Sequence, residues 1–181
     1  RVAIEHTGGP VALVLTRQGL PVIDQKEYTK ADALEKGAYI LSEPETNPQI
    51  ILIGTGSEVQ LVIAAQQKLK EQHIAARIVS MPSWELFEKQ DAAYKEKIFP
   101  KKLKKRLAVE AGSPVGWHRY VMDEGDIIGI NTFGESAPGE EVMQEYGFTI
   151  ENVVKRAKAL LLYRANLMNQ NNAQRYYKPC H

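Results

Sequence analysis

From position 38 onward the chain alternates between short apolar runs and longer stretches with helical spacing. Residues 38–41, 49–53, 76–80, 106–109 and 127–130 are brief apolar runs, the pattern of strands buried on both faces. Between them, residues 57–71 carry Val59, Val62, Ala65 and Leu69 on one face, which predicts an amphipathic helix. Residues 83–98 predict one or two short helices, split near Gln90 and Asp91, and residues 117–121 a helical turn. Residues 137–146 and 150–162 predict two more helices; Ile150, Val153, Val154, Ala157, Leu160 and Leu161 form a buried stripe on the second. Strands alternating with helices predict an α/β fold, a three-layer sandwich around a mostly parallel five-stranded sheet.

Helix-start signals sharpen this reading. Ser57-Glu-Val-Gln60 fits a capping box, with a hydroxyl at the N-cap and Gln three residues on. Thr149 is placed to cap the last helix, and Ser136 to cap the one before it, with Pro138 tolerated in the first turn.

The start of the chain follows a different rhythm. Residues 1–6 read as the end of a helix, Thr7-Gly8-Gly9-Pro10 as a turn, and Val11 to Thr16 as a doubly buried strand. A helix end and one strand cannot make a core, so residues 1–23 are expected to be a partial βα fragment of an upstream domain. Residues 24–37 are polar and charged, an interdomain linker with a helical turn at residues 31–36. Residues 38–162 then form the main domain. Residues 163–181 are a tail, Asn/Gln-rich and without a periodic stripe, into which the last helix is expected to fray.

Composition narrows the class. Apolar residues make up 44% and charged residues 25% of 181, ordinary for a globular domain. A formal net charge of +1 gives no reason to expect a nucleic-acid partner, and no apolar run is long enough to span a bilayer. The chain begins with Arg1, as a piece of a longer protein would. The single cysteine, Cys180, has no internal disulfide partner, which fits a reducing, cytosol-like compartment. His6, His73, His118 and His181 lack metal-ligand spacing.

Several stretches are candidates for chemistry. Gly54-Thr-Gly-Ser57 joins a strand to a helix, where backbone amides can bind phosphate; position 59 is Val where a dinucleotide fingerprint needs glycine, so a tight capped turn is the simpler reading. Glu110 ends a strand at its carboxyl edge, as an acid or base would, or as a structural carboxylate accepting backbone N–H groups. Ser136 is not in a nucleophile elbow, because Pro138 stands where that motif requires Gly. The run Lys101-Lys-Leu-Lys-Lys-Arg106 reads as a solvated loop leading into a strand. Trp117-His-Arg-Tyr120 suits either an interface or packing within the domain. Arg17 follows the apolar run 11–16 and precedes a Gly-Leu-Pro turn. A buried strand cannot hold an unpaired charge cheaply, so Arg17 belongs where the chain leaves the core. There it suits either a bound phosphate or carboxylate, or a salt bridge at the domain edge, and position alone leaves both open.

Four longer stretches go further. GPVALVLTRQGLP (9–21), IGTGSEVQL (53–61), RIVSMPSWELFEKQDAAYKEKIFP (77–100) and above all TFGESAPGEEVMQEYGFTIENVV (132–154) resemble bacterial and plant-type transketolase, in order from about Arg1 to Leu162. The resemblance implies an enzyme that transfers a two-carbon ketol unit between sugar phosphates, using thiamine diphosphate and a divalent metal (Mg or Ca). It also implies a cytoplasmic homodimer, or a plastid location in a plant. Residues 1–23 would end the pyrimidine-binding domain, and residues 38–162 would be the C-terminal domain, supplying assembly and dimer contacts. By position, Arg17 corresponds to the arginine that grips the substrate phosphate. The family's diphosphate and metal motif, its glutamate on the aminopyrimidine and its histidines around the ketol carbon match nothing here. No catalytic residue is therefore assigned, and this chain alone is expected neither to hold the cofactor nor to catalyse transfer. Two other readings carry distinct expectations: another thiamine enzyme, such as deoxyxylulose-phosphate synthase or a 2-oxoacid dehydrogenase β chain, and a free-standing small-anion module at residues 54–57.

Overall fold

The computed structural model describes the backbone of residues 1–175 and the side chains of residues 1–162, and it pairs the apolar runs into one five-stranded sheet. The strands are β1 (Tyr39–Ser42), β2 (Ile50–Gly54), β3 (Ala76–Ser80), β4 (Arg106–Val109) and β5 (Asp126–Ile128), in the order β1-β3-β2-β4-β5. The β2–β3, β2–β4 and β4–β5 pairs are parallel; only β1 runs antiparallel, against β3. The helices are α1 (Val2–Glu5), α2 (Val59–Glu71), α3 (Trp84–Glu88), α4 (Ala92–Ile98), α5 (His118–Val121), α6 (Gly139–Glu145) and α7 (Ile150–Arg175). The expected α/β architecture, mostly parallel and five-stranded, is what the chain forms.

Alternation along the strands sorts the core into two layers. Ile50, Leu52, Ile78, Leu107 and Val109 face α2 and α7, where Val59, Val62, Ala65, Leu69, Val153, Val154 and Ala157 pack on them. Ile51, Ile53, Val79 and Ala108 face the opposite side, under Phe87 of α3, Ile98 of α4 and Tyr120 and Val121 of α5. Every residue of β2 is buried, which is why its sequence is a continuous apolar run rather than an alternating one. Gly54 ends β2 because a Cβ there would sit 3.0 Å from the Val59 Cα, so β2 and α2 could not approach this closely with a larger residue.

Local expectations differ from the structure in four places. Residues 11–16 form no strand, because no neighbouring strand offers its backbone a partner; Leu13, Val14 and Leu15 are 71%, 93% and 80% exposed. Ser57 does not cap α2, since a 3-10 turn over Gly56–Glu58 precedes the helix and places Ser57 inside it. Ser136 caps nothing either: α6 starts at Gly139 with Pro138 at its N-cap position. The last helix does not end near Leu162 but continues to Arg175, there being no glycine or proline between those positions to stop it. Thr149, by contrast, does cap α7, its hydroxyl accepting from the Asn152 N–H at 3.2 Å. Cys180 and His181 lie outside the described residues.

The segment expected to be a linker lies against the domain. Ile23 and Tyr28 pack on the core layer of α2 and α7, and the Thr29 N–H donates to the Leu41 carbonyl at 3.1 Å. The helical turn at Ala31–Lys36 forms as a 3-10 turn.

Candidate functional site

Strand order fixes where a ligand crevice would open. From β2 the chain moves to β3 on one side, then returns to β4 on the other. In open α/β sheets the loops diverge at such a reversal, and binding sites lie at the carboxyl ends of the two strands. Here those loops are residues 55–58 after β2 and 110–117 after β4.

Two acids meet at this point. Glu58, 4% exposed, accepts a hydrogen bond from the Ser57 hydroxyl through one oxygen and from the Ala111 N–H at 3.1 Å through the other. Glu110, half-buried, accepts from the indole N–H of fully buried Trp117. Burial pushes the Glu110 carboxyl up, the indole hydrogen bond opposes that, and repulsion from Glu58 adds to it. Trp117 is fixed edge-on against Trp84, ring centroids 5.1 Å apart, with Tyr120 5.9 Å away. Gly116 lets this happen: its φ is +92°, and a Cβ there would lie 2.6 Å from the Trp84 ring.

This arrangement answers several expectations. Glu110 is held by a side-chain indole rather than by backbone N–H groups; the backbone donor goes to Glu58 instead. The 54–57 turn faces a buried carboxylate, so an anion there would meet negative charge and desolvated oxygens. Trp117 and Tyr120 are buried within the domain, at 0% and 3% exposure, while His118 and Arg119 point to solvent. No positional spacing links Glu58 to Glu110; the adjacency of β2 and β4 does.

The basic run divides at the opposite end of the sheet. Lys104 and Lys105 both reach Glu124, at 3.2 and 3.1 Å, beside a cavity of 240 Å³ lined by Pro48, Gln49 and Leu103 among others. Arg106 opens β4, as the 106–109 strand pattern predicts, and is 3% exposed rather than solvated with the rest of the run.

Arg17 sits in the irregular N-terminal segment and is exposed. The Thr16 hydroxyl accepts from the Gln18 N–H at 3.4 Å, bending the chain at Arg17. Among the described residues no ion pair or hydrogen bond engages its guanidinium. The structure does not bring Arg17 into contact with Glu58 or Glu110. Ser136 and Glu135 lie on an exposed loop.

Comparison with known proteins decides the family. The profile of the transketolase-like C-terminal domain matches residues 37–149. The chain belongs to the transketolase family. A transketolase of Bacillus subtilis is 49% identical over 162 residues, 89% of this chain and 24% of its own length. A transketolase of Staphylococcus epidermidis is 47% identical over 159 residues, 88% of this chain and 24% of its own length. A crystal structure of transketolase from Pichia stipitis with sedoheptulose-7-phosphate superposes with a TM-score of 0.74 at 33% identity, covering 83% of this chain and 21% of that one. The chain thus spans about a quarter of the curated transketolases it matches and corresponds to their C-terminal region. The described residues do not fit thiamine diphosphate: the switch point presents carboxylates rather than donors to a diphosphate, and no three His, Cys, Asp or Glu side chains converge as metal ligands. None of the described helices is long and apolar enough to cross a membrane.

Proposed function

We propose that this chain is the C-terminal part of an enzyme that transfers a two-carbon ketol unit between sugar phosphates, and that Arg17 holds the substrate phosphate. In this reading thiamine diphosphate and a divalent metal supply the carbon–carbon chemistry and are held by the rest of the enzyme, which works as a cytoplasmic homodimer. Residues 1–23 close the pyrimidine-binding domain, residues 24–37 connect it to the C-terminal domain at 38–162, and residues 163–181 extend beyond the family pattern. The chain alone is inactive.

The observation that carries the role of Arg17 is its exposure at a bend in the chain with its guanidinium unengaged by the described residues. A planar fork of N–H donors binds a phosphate in two parallel hydrogen bonds, and the charge is permanent. A phosphate remote from the reacting carbon contributes binding energy that orients the substrate. Arg17 positions; it moves no proton.

Arg17→Ala in the intact enzyme tests this. The expected result is a KM for phosphorylated sugars raised about ten- to a hundredfold, the loss of a charge-assisted hydrogen-bond pair. Turnover of unphosphorylated ketoses should be nearly unchanged. Equal losses on both substrate classes would refute the assignment.

A further inference from the structure

The basic run at 101–106 has no part in the proposed role of Arg17, and it lines a cavity at the end of the sheet opposite the switch point. Because β2, β4 and β5 are parallel, the residues just before each of them lie at one end. Gln49 precedes β2, residues 102–105 precede β4, and Glu124 lies just before β5. These three segments line the 240 Å³ cavity.

The segments are anchored. The Gln49 N–H donates to the Ala75 carbonyl at 2.8 Å, and the Gln49 side-chain oxygen accepts from the Ala75 N–H at 3.0 Å. With that oxygen used, the Gln49 side chain offers its NH2 group as a donor. The Lys105 carbonyl accepts from the Ile51 N–H at 2.9 Å, and the Lys105 side chain is 12% exposed. Lys104 and Lys105 converge on Glu124, at 3.2 and 3.1 Å, so two ammonium groups already share one anion. Among the described residues no hydrogen bond or ion pair engages the Lys102 ammonium. Three lysines against one glutamate leave the lining with an excess of two positive charges.

Charge and size select the occupant. A phosphate monoester carries about −1.5 to −2 charge at pH 7, which matches that excess. A volume of 240 Å³ lies below the roughly 300 Å³ at which sites for drug-sized ligands begin. The apolar part of the lining is Pro48 and Leu103, with no aromatic ring on which a base could stack. The cavity therefore suits a phosphate ion or a short ester rather than a nucleotide or a nucleic-acid strand.

We propose that Gln49, Lys102, Lys104 and Lys105 bind a phosphate dianion, free or as the ester of a small alcohol. Glu124 holds Lys104 and Lys105 side by side and competes with the ligand for them. The ammonium groups act as point charges with rotatable donors, and the Gln49 NH2 group adds a neutral one.

Titration of the chain with sodium phosphate at pH 7.5, followed in ¹H–¹⁵N spectra at a fixed ionic strength of about 0.1 M, tests this. The backbone amides of residues 102–105 and the Gln49 NH2 group should shift along one saturable curve. Two charge-assisted hydrogen bonds correspond to a Kd of about 1 mM. Lys102→Gln and Lys104→Gln should each weaken binding about fivefold or more, and Glu124→Gln should tighten it by a similar factor. Arg17→Ala should leave the curve in place. A parallel titration with glycerol 3-phosphate separates the two sources: tighter binding than inorganic phosphate assigns the cavity to an ester, equal or weaker binding to the free ion. Shifts that sodium chloride reproduces would reduce the effect to screening and overturn the site. So would a curve that survives both lysine substitutions, one lost with Arg17→Ala, or a single-stranded RNA oligomer that binds these residues where phosphate does not.

Discussion

The guanidinium of Arg106 is buried under α5, with no carboxylate among the described residues within ion-pair distance and Glu96 acting on it only from farther away. It donates to the carbonyls of Leu103 at 2.9 Å, Tyr120 at 2.7 Å, Phe99 at 3.1 Å and Pro100 at 2.9 Å, and lies 5.2 Å from the Phe99 ring centroid. Carbonyl dipoles thus do the work of a counter-ion, tying the loop before β4 to α5. Burial lowers its pKa, yet an arginine remains charged. Lysine cannot reproduce the fork, so Arg106→Lys leaves carbonyls unpaired and should cost about 2–4 kcal/mol, read from urea unfolding. A loss within error of zero would show that water replaces the guanidinium. The strand pattern at 106–109 places Arg106 at the start of a buried strand, but its carbonyl partners are not legible in the basic run at 101–106. Burial there depends on where α5 and the residues around Phe99 come to rest, which is tertiary information. The candidate site was hidden for the same reason: Glu110 stood out at a strand end, but Glu58 becomes its neighbour only through the β2–β4 pairing.

Among the elements, the five strands of the sheet follow from burial, whereas boundaries decided by single hydrogen bonds follow the pattern unevenly. The strands reappear nearly in place because an apolar run between helices has few alternatives in a doubly covered sheet. The caps at Asp91 and Thr149 lie at boundaries that the pattern marked. Asp91 accepts from the Tyr94 N–H at 2.7 Å, and Asp91→Ala should lower stability by about 1 kcal/mol, seen as a shift in thermal midpoint. Ser57 failed as a cap because Gly56, with φ +53°, starts the turn one residue earlier. Residues 11–16 failed as a strand because apolar character specifies burial, not the partner that supplies it. The stripe on α7 makes the complementary case. Val154 is 9% exposed and Val153 fully buried against β-strand residues. Val154→Asp should therefore destabilise by about 3 kcal/mol at neutral pH, and by less at pH 4, where the new carboxyl can be neutral. An equal loss at both pH values would mean that lost packing, not charge, is the cause.

Over the whole molecule the sheet is saturated while the N-terminal segment is not. Both faces of the sheet are covered, and Ile23 and Tyr28 complete one layer. Residues 1–22 add little to that body: the side chains of Val14, Leu15 and Val22 are 93%, 80% and 97% exposed, and Arg1 meets Glu35 at 3.6 Å, both side chains open to solvent. An exposed ion pair of this kind contributes between about 0 and 1 kcal/mol. Deleting residues 1–22 should thus change unfolding free energy by less than about 1 kcal/mol, while removing a cluster of apolar side chains that favours self-association. Urea unfolding measures the first, and light scattering against concentration the second. A shortened chain that unfolds much more readily would mean that the segment packs as an integral part of this domain. A neutral deletion that also lowers scattering would mean that its apolar residues serve a surface outside it, as the segment bearing Arg17 must if that guanidinium reaches a substrate held by the rest of the enzyme.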